Sequence, residues 1–194
     1  TSPLWNAEFQ FIEDSTEISF LDLIEVRVVD AMRRAGISLQ AIRFAIQLAQ
    51  EKFDVKRPLS SRDFKTDGQE VLMSAIEEDG DFVSLSKKRP GQKVFKDIVI
   101  QSLNDLEYEN SLAARWRPTG FSSIVIDPNR HFGTPLLNEY GVSTATIYAE
   151  NKTFNDASYL SKIYSVPLQA IKQAISYERS LDARQKINSD QGTI

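Results

Sequence analysis

The sequence predicts an α+β protein that is mostly helical. An N-terminal helix pair with a small three-stranded antiparallel sheet is followed by a C-terminal three-helix helix–turn–helix domain. Three observations predict this. Apolar residues recur at 3.6-residue spacing from about residue 20 to 53, and again from 144 to 181. Between them, residues 69–100 are rich in β-branched and aromatic side chains and are broken by the turn dipeptides Asp79-Gly80 and Pro90-Gly91. A length of 194 residues suits one or two small domains.

Residues 1–18 hold Glu8, Glu13, Asp14 and Glu17 without a base, and Trp5, Phe9, Phe11 and Ile12 among them. They read as an extended lead-in that docks by its aromatics. The first helix spans 19–35, with Ser19 as N-cap, Asp22 in the first turn and an apolar stripe of Leu21, Ile24, Val28, Ala31, Met32 and Ala35. Gly36 stops it, Ser38 caps the second helix, and Leu39, Ile42, Ile46, Ala49 and Phe53 form the second stripe. Pro58 closes the unit. Strands are expected at 70–76, 82–85 and 93–100, joined by two hairpins. Residues 101–118 read as helical, and Trp116 closes a first domain of residues 1–118.

A second domain is expected at 119–184. A short strand at 122–127 precedes a turn-rich stretch with Pro128, Gly133, Pro135 and Gly141. Helices follow at 144–150, at 156–164 with Asn155 as cap, and at 167–181 with Pro167 in the first turn. Residues 185–194 are polar and read as a flexible tail.

Composition narrows the function. There is no Cys and a single His, so disulfides, thiolate nucleophiles, Cys-based zinc sites and two-His metal motifs are out. No metal and no cofactor is expected, and a reducing cytoplasm is the default compartment. No apolar run reaches the roughly 20 residues of a spanning helix, so no membrane role is expected. The sequence lacks the Gly-rich phosphate loop, the Gly-x-Ser-x-Gly elbow and the His-Glu-x-x-His pair. His131, in a turn, reads as a surface residue. The formal net charge of -4 is uneven: residues 20–62 hold eight bases against five acids, a local +3.

Duplex DNA is read by a helix in the major groove with cations on the flanking phosphates. Gln40 and Arg43 lie off the stripe of the second helix, as does Gln47, and Arg33 and Arg34 flank the preceding turn. In the C-terminal domain Gln169 and Lys172 lie off the last stripe, beside Gln173. Lys87, Lys88 and Arg89, with Lys93 and Lys96, give the second expected hairpin a basic tip suited to phosphate. The same lysines also block strand-edge pairing, and Glu77, Glu78, Asp79 and Asp81 offset their field. Solvated helix faces are the plain alternative at each of these positions.

Two stretches carry a family resemblance. Ile124-Val125-Ile126-Asp127-Pro128, Gly133-Thr134-Pro135, Gly141-Val142-Ser143-Thr144 and Tyr164-Ser165-Val166-Pro167-Leu168, with Ile171 and 174–178, resemble the bacterial domain of unknown function 433 over residues 121–181. Gly141-Val142-Ser143 stands where that family commonly has Gly-Thr-Arg. Ile18 through Asp30, with Gly36-Ile37-Ser38-Leu39-Gln40-Ala41-Ile42-Arg43, is similar to the second helix pair of MerR-like winged-helix regulators. The resemblance implies a longer native protein with an upstream DNA-reading part. It further implies a VapB-type antitoxin of a type II toxin–antitoxin pair. Such a protein neutralises a PIN-like ribonuclease toxin, binds operator DNA as a homodimer and represses its own operon. Arg179 and Arg184 are the candidate contacts to the toxin, and the chain itself is not expected to be an enzyme. The alternatives are a stand-alone DNA-binding regulator with a sensor domain, a carboxylate-dependent nuclease, and a dimerising scaffold.

Overall fold

The structure is a computed structural model that describes residues 3–5, 7, 18–79 and 91–191, with side chains not described at 91, 92 and 185–191. The chain divides into two compact units, Thr1–Ala114 and Arg115–Ile194.

In the first unit, α1 (Phe20–Arg34) and α2 (Leu39–Phe53) begin where the sequence places their caps. The Ser19 hydroxyl accepts from the Asp22 amide at 3.0 Å, and the Ser38 hydroxyl accepts from the Ala41 amide at 2.9 Å. Gly36 sits at φ +88°, the left-handed region a side chain disfavours, so it turns the chain between the helices. Two further helices complete the unit, α3 (Arg62–Asp79) and α4 (Gly91–Ser102). Ser61 caps α3, its hydroxyl accepting from the Phe64 amide at 3.0 Å. Ile24, Val28 and Met32 of α1, Ile42 and Ile46 of α2, Phe64, Leu72 and Ile76 of α3, and Phe95 and Ile98 of α4 are all buried. The Phe64 and Phe95 rings meet edge-to-face at 5.8 Å.

Two of the three strands expected, those at 70–76 and 93–100, are not there. Residues 70–76 lie inside α3 and 93–100 inside α4, while 82–85 lie outside the described residues. The burial pattern explains the error. Val71, Leu72, Ala75 and Ile76, then Val94, Phe95 and Ile98, are buried at helical rather than alternating spacing. Their β-branched content masked the period. Conversely, the helix expected over 101–118 is not there beyond Ser102, where α4 ends. The remainder holds the hairpin of β1 (Leu106–Glu109) and β2 (Leu112–Trp116), turned by Asn110 and Ser111, both at positive φ as a two-residue primed turn requires. β2 meets the start of α3, with the Ala113 amide donating to Ser60 and the Arg62 amide to Ser111.

Gly68 sits buried on α3 beneath Phe64, and a Cβ there would come within 2.8 Å of the Phe64 ring. Helix propensity favours alanine by about 1 kcal/mol. Phe64 has no room to yield against Phe95, so overpacking wins. Gly68→Ala is expected to lower stability by about 1 kcal/mol in urea unfolding. Adding Phe64→Leu, which shortens the obstructing side chain, should abolish the penalty of the alanine; a stabilised single variant would refute the clash.

In the second unit, a three-stranded antiparallel sheet of two-residue strands does exist. It consists of β3 (Ile124–Val125), β4 (Leu136–Leu137) and β5 (Val142–Ser143), in the order β3-β4-β5. Ile124 pairs with Leu137, and Leu137 with Val142. Three helices follow: α5 (Thr144–Phe154), α6 (Ala157–Tyr164) and α7 (Leu168–Gln191). The final helix thus continues past 185. Asn155 does not cap the second of these. It closes α5 in the left-handed conformation, and Asp156 is the N-cap, accepting from the Ser158 and Tyr159 amides at 2.9 and 3.0 Å. Ser165, also left-handed, turns the chain between α6 and α7. Ile124, Leu137, Ile147, Leu160, Val166 and Ile171 form the core. Trp116 exchanges backbone hydrogen bonds of 2.9 and 2.8 Å with Ile126.

Candidate functional site

In the first unit the charged chemistry gathers where the start of α1 meets the turn after α2. Asp22 and Glu25 lie three residues apart on one face of α1, and both are buried. Asp22 takes a hydrogen bond from the Ser19 hydroxyl at 2.9 Å, from the Trp5 indole at 2.8 Å, and from the Arg57 guanidinium. The same Arg57 nitrogen stands 3.9 Å from Glu25, whose other oxygen has the Ser60 hydroxyl at 3.5 Å. Burial pushes the Glu25 carboxyl up to about 7, although Arg57 pulls the other way. Two carboxyls therefore share one guanidinium, and the more deeply buried one changes charge near neutrality.

Outside this cluster the Pro3–Trp5 segment runs along α2 and encloses a cavity of about 600 Å³, lined by Leu4, Trp5, Arg43, Ile46, Gln47 and Lys56 among others. The expected DNA-reading face of α2 lies here. Gln40 is exposed in the first turn of α2, and Arg43, one turn on, is half-buried in the cavity wall beside Gln47. The Pro3–Trp5 segment thus borders the face that the sequence assigns to a groove. Arg33 and Arg34 are exposed, but each already has a local role. An Arg33 guanidinium nitrogen donates to the Ile37 carbonyl at 2.8 Å, and Arg34 pairs with Asp30 at 2.9 Å. Lys87, Lys88 and Arg89 lie outside the described residues.

In the second unit, Gln173 is taken up internally: it accepts from the Ser123 amide at 2.9 Å and donates to the Ser122 hydroxyl at 3.3 Å. Gln169 is exposed and borders a hollow of about 260 Å³ with Ser122, Asn138, Tyr140 and Pro167. Lys172 and Arg179, assigned by sequence to different partners, line one cleft of about 290 Å³ together with Asn151, Asn155, Ile175 and Ser176. Their seven-residue spacing places them two turns apart on one face of α7. Arg184 is exposed further along the same helix. The sequence reading missed Asn151 and Asn155, which face this cleft from α5 and carry no charge pattern to reveal them. The helices around it are cross-tied: the Tyr148 hydroxyl donates to Asp182 at 2.7 Å, and the Lys152 ammonium lies over the Tyr148 ring at 4.1 Å.

The turn at His131–Gly133, which precedes β4, presents Phe132 fully to solvent, with His131, Phe132 and Gly133 all at positive φ. Arg130 fixes this turn by donating to the Asn138 side chain and carbonyl at 2.9 and 2.8 Å. No helix among the described residues is long and apolar enough to cross a membrane.

No family model matches the chain. A protein of Mycobacterium tuberculosis strain H37Rv named "Putative antitoxin VapB45" is 30% identical over 168 residues, which span 81% of this chain and 70% of that protein. The crystal structure of Rv2018 from Mycobacterium tuberculosis shares the fold, with a TM-score of 0.63 at 24% identity over 81% of this chain and 78% of that one.

Proposed function

The chain belongs to the family of the VapB45 antitoxin, and on that premise we propose that it is the antitoxin of a type II pair. It binds and silences a PIN-like ribonuclease toxin, and as a homodimer in the cytoplasm it represses its own operon. Its role is binding, not catalysis. The reading of 121–181 as a helix–turn–helix module of the domain-of-unknown-function-433 kind is supported by the tight Ser165-Val166-Pro167 turn between α6 and α7. The MerR-like reading of the first unit is supported by the two capped helices about Gly36.

The single observation that carries a binding surface is the shared cleft of Lys172 and Arg179 beside Asn151 and Asn155. Two cations on one helix face, with amide donors opposite, suit an anionic partner group, phosphate or carboxylate.

Lys172→Ala and Arg179→Ala separate the two partners. If the cleft meets operator phosphates, each variant weakens DNA binding several-fold for every sequence and lowers the salt slope by about one. If it meets toxin carboxylates, the gel shift is unchanged and ribonuclease inhibition is lost. Both readouts unchanged in the double variant would remove the cleft from the function. Failure of the tagged chain to recover a small ribonuclease from its host would remove the antitoxin reading.

A further inference from the structure

The join of α5 and α6 leaves a hydrophobic surface outside the Lys172–Arg179 cleft. Phe154 closes α5 and is 50% exposed, while Tyr159 and Ile163, one turn apart on α6, are 42% and 54% exposed. The Phe154 and Tyr159 rings meet at 5.1 Å, so the three side chains form one continuous patch rather than scattered residues. The patch is held in place. Asn155 turns the chain in the left-handed conformation, and its amide donates to the Asn151 carbonyl at 2.9 Å. The Asp156 carboxylate accepts from the first amides of α6, and Leu160, between the two exposed positions, is fully buried. A surface already ordered loses little entropy when it is covered.

The rim favours a second copy of the chain. Lys152, Asn155 and Ser158 are exposed beside the patch, which gives it an apolar centre and a polar edge. At 3.6 residues per turn, Asp156 and Lys162 fall on opposite flanks of the line from Tyr159 to Ile163, and both are exposed. A two-fold axis that lies in this surface and bisects the line between them sets each Asp156 against the other copy's Lys162. One complementary contact is thereby made twice, as an isologous interface requires. An unrelated partner would have to supply both charges independently.

We propose that two copies of the chain associate on this patch, with Phe154, Tyr159 and Ile163 at the centre and two Asp156–Lys162 pairs on the rim. The inference rests on the antitoxin reading only for the homodimer which that reading includes, and it gives the homodimer its surface. Three half-exposed side chains make a small interface, so the dissociation constant is expected to be about micromolar or weaker.

Analytical ultracentrifugation of the full chain from about 1 μM to about 500 μM tests it. The mass is expected to rise with concentration toward twice that of the monomer. Ile163→Glu should weaken association at least about 10-fold. Lys162→Glu sets two acids against each other and should weaken it several-fold. Adding Asp156→Asn, which keeps a capping side chain but removes the acid, should restore most of that loss. A mere loss of α6 stability would show no such rescue, and circular dichroism checks that each variant folds. A chain that stays monomeric throughout overturns the proposal and removes the homodimer from the function. If Ile163→Glu and Lys162→Glu associate like the parent, or Asp156→Asn restores nothing, this surface falls and the homodimer stands. If Ile163→Glu loses ribonuclease inhibition with self-association unchanged, the patch belongs to the toxin and the proposal is equally overturned. Self-association is read without toxin or operator, so the surface can stand even if the antitoxin role falls.

Discussion

Asp22→Ala is expected to cost the protein about 3 kcal/mol, which makes it one of the most damaging single changes in the first unit. The side chain is 5% exposed and its partner Arg57 14% exposed, so the ion pair is largely out of water. Truncation leaves a buried guanidinium whose nearest acid is Glu25 at 3.9 Å, and strands the donors of Ser19 and Trp5. The loss should depend on pH. Asp22 is one of the charges that keep Glu25 protonated, so its removal lets Glu25 ionise and partly replace it. Urea unfolding should therefore show a smaller loss at pH 8 than at pH 5.5. An equal or negligible loss at both would show that the pair does not work as described. Trp5 should also become more accessible to a fluorescence quencher, because its hydrogen-bond partner is gone.

Glu25→Gln is expected to do the opposite and stabilise the protein at alkaline pH. The group has a folded pKa of about 7 against an ordinary 4.5. Between these values the native chain holds a proton that the unfolded chain has released, so stability falls as pH rises through this window. Below it both states are protonated and the effect vanishes; above it the penalty is complete. The gap is worth roughly 3 kcal/mol. Gln keeps the shape and a polar group opposite Ser60 but cannot ionise. Its advantage over the parent should grow from pH 4.5 to 7 and then level off, reaching about 10 °C in melting temperature at pH 8. A pH-independent difference would place the titration elsewhere.

Much of the helical framework was legible in the sequence, and the reason is local. Ser19, Ser38 and Gly36 act within one turn of chain, and their caps are where the pattern puts them. The sheet was misplaced because residue type and residue spacing disagreed. Val71 and Ile76 look like strand residues but are buried at helical intervals on α3. The hairpin at 106–116 was hidden because its turn is Asn110-Ser111, without the glycine that signals a primed turn. In the candidate site, a contact by Trp5 was readable from its aromatic character, while Phe9, Phe11 and Ile12 of the expected lead-in lie outside the described residues; Arg43 lies off the core stripe, as its spacing implies. The Asp22–Arg57 pair was not readable, since it joins positions 35 residues apart and exists only once α1 lies against the turn after α2. Lys172 and Arg179 were both singled out, yet for separate tasks. Only the packing of α5 against α7 places them on one cleft.

The division between the two units falls inside β2, not in a loop. Ala113 is committed to Ser60 on one side of that division, and Trp116 is doubly committed to Ile126 on the other. Side chains alternate along a strand, so one residue inserted or deleted between these anchors reverses which of them points inward. The join is therefore a poor crossover point for gene fusion.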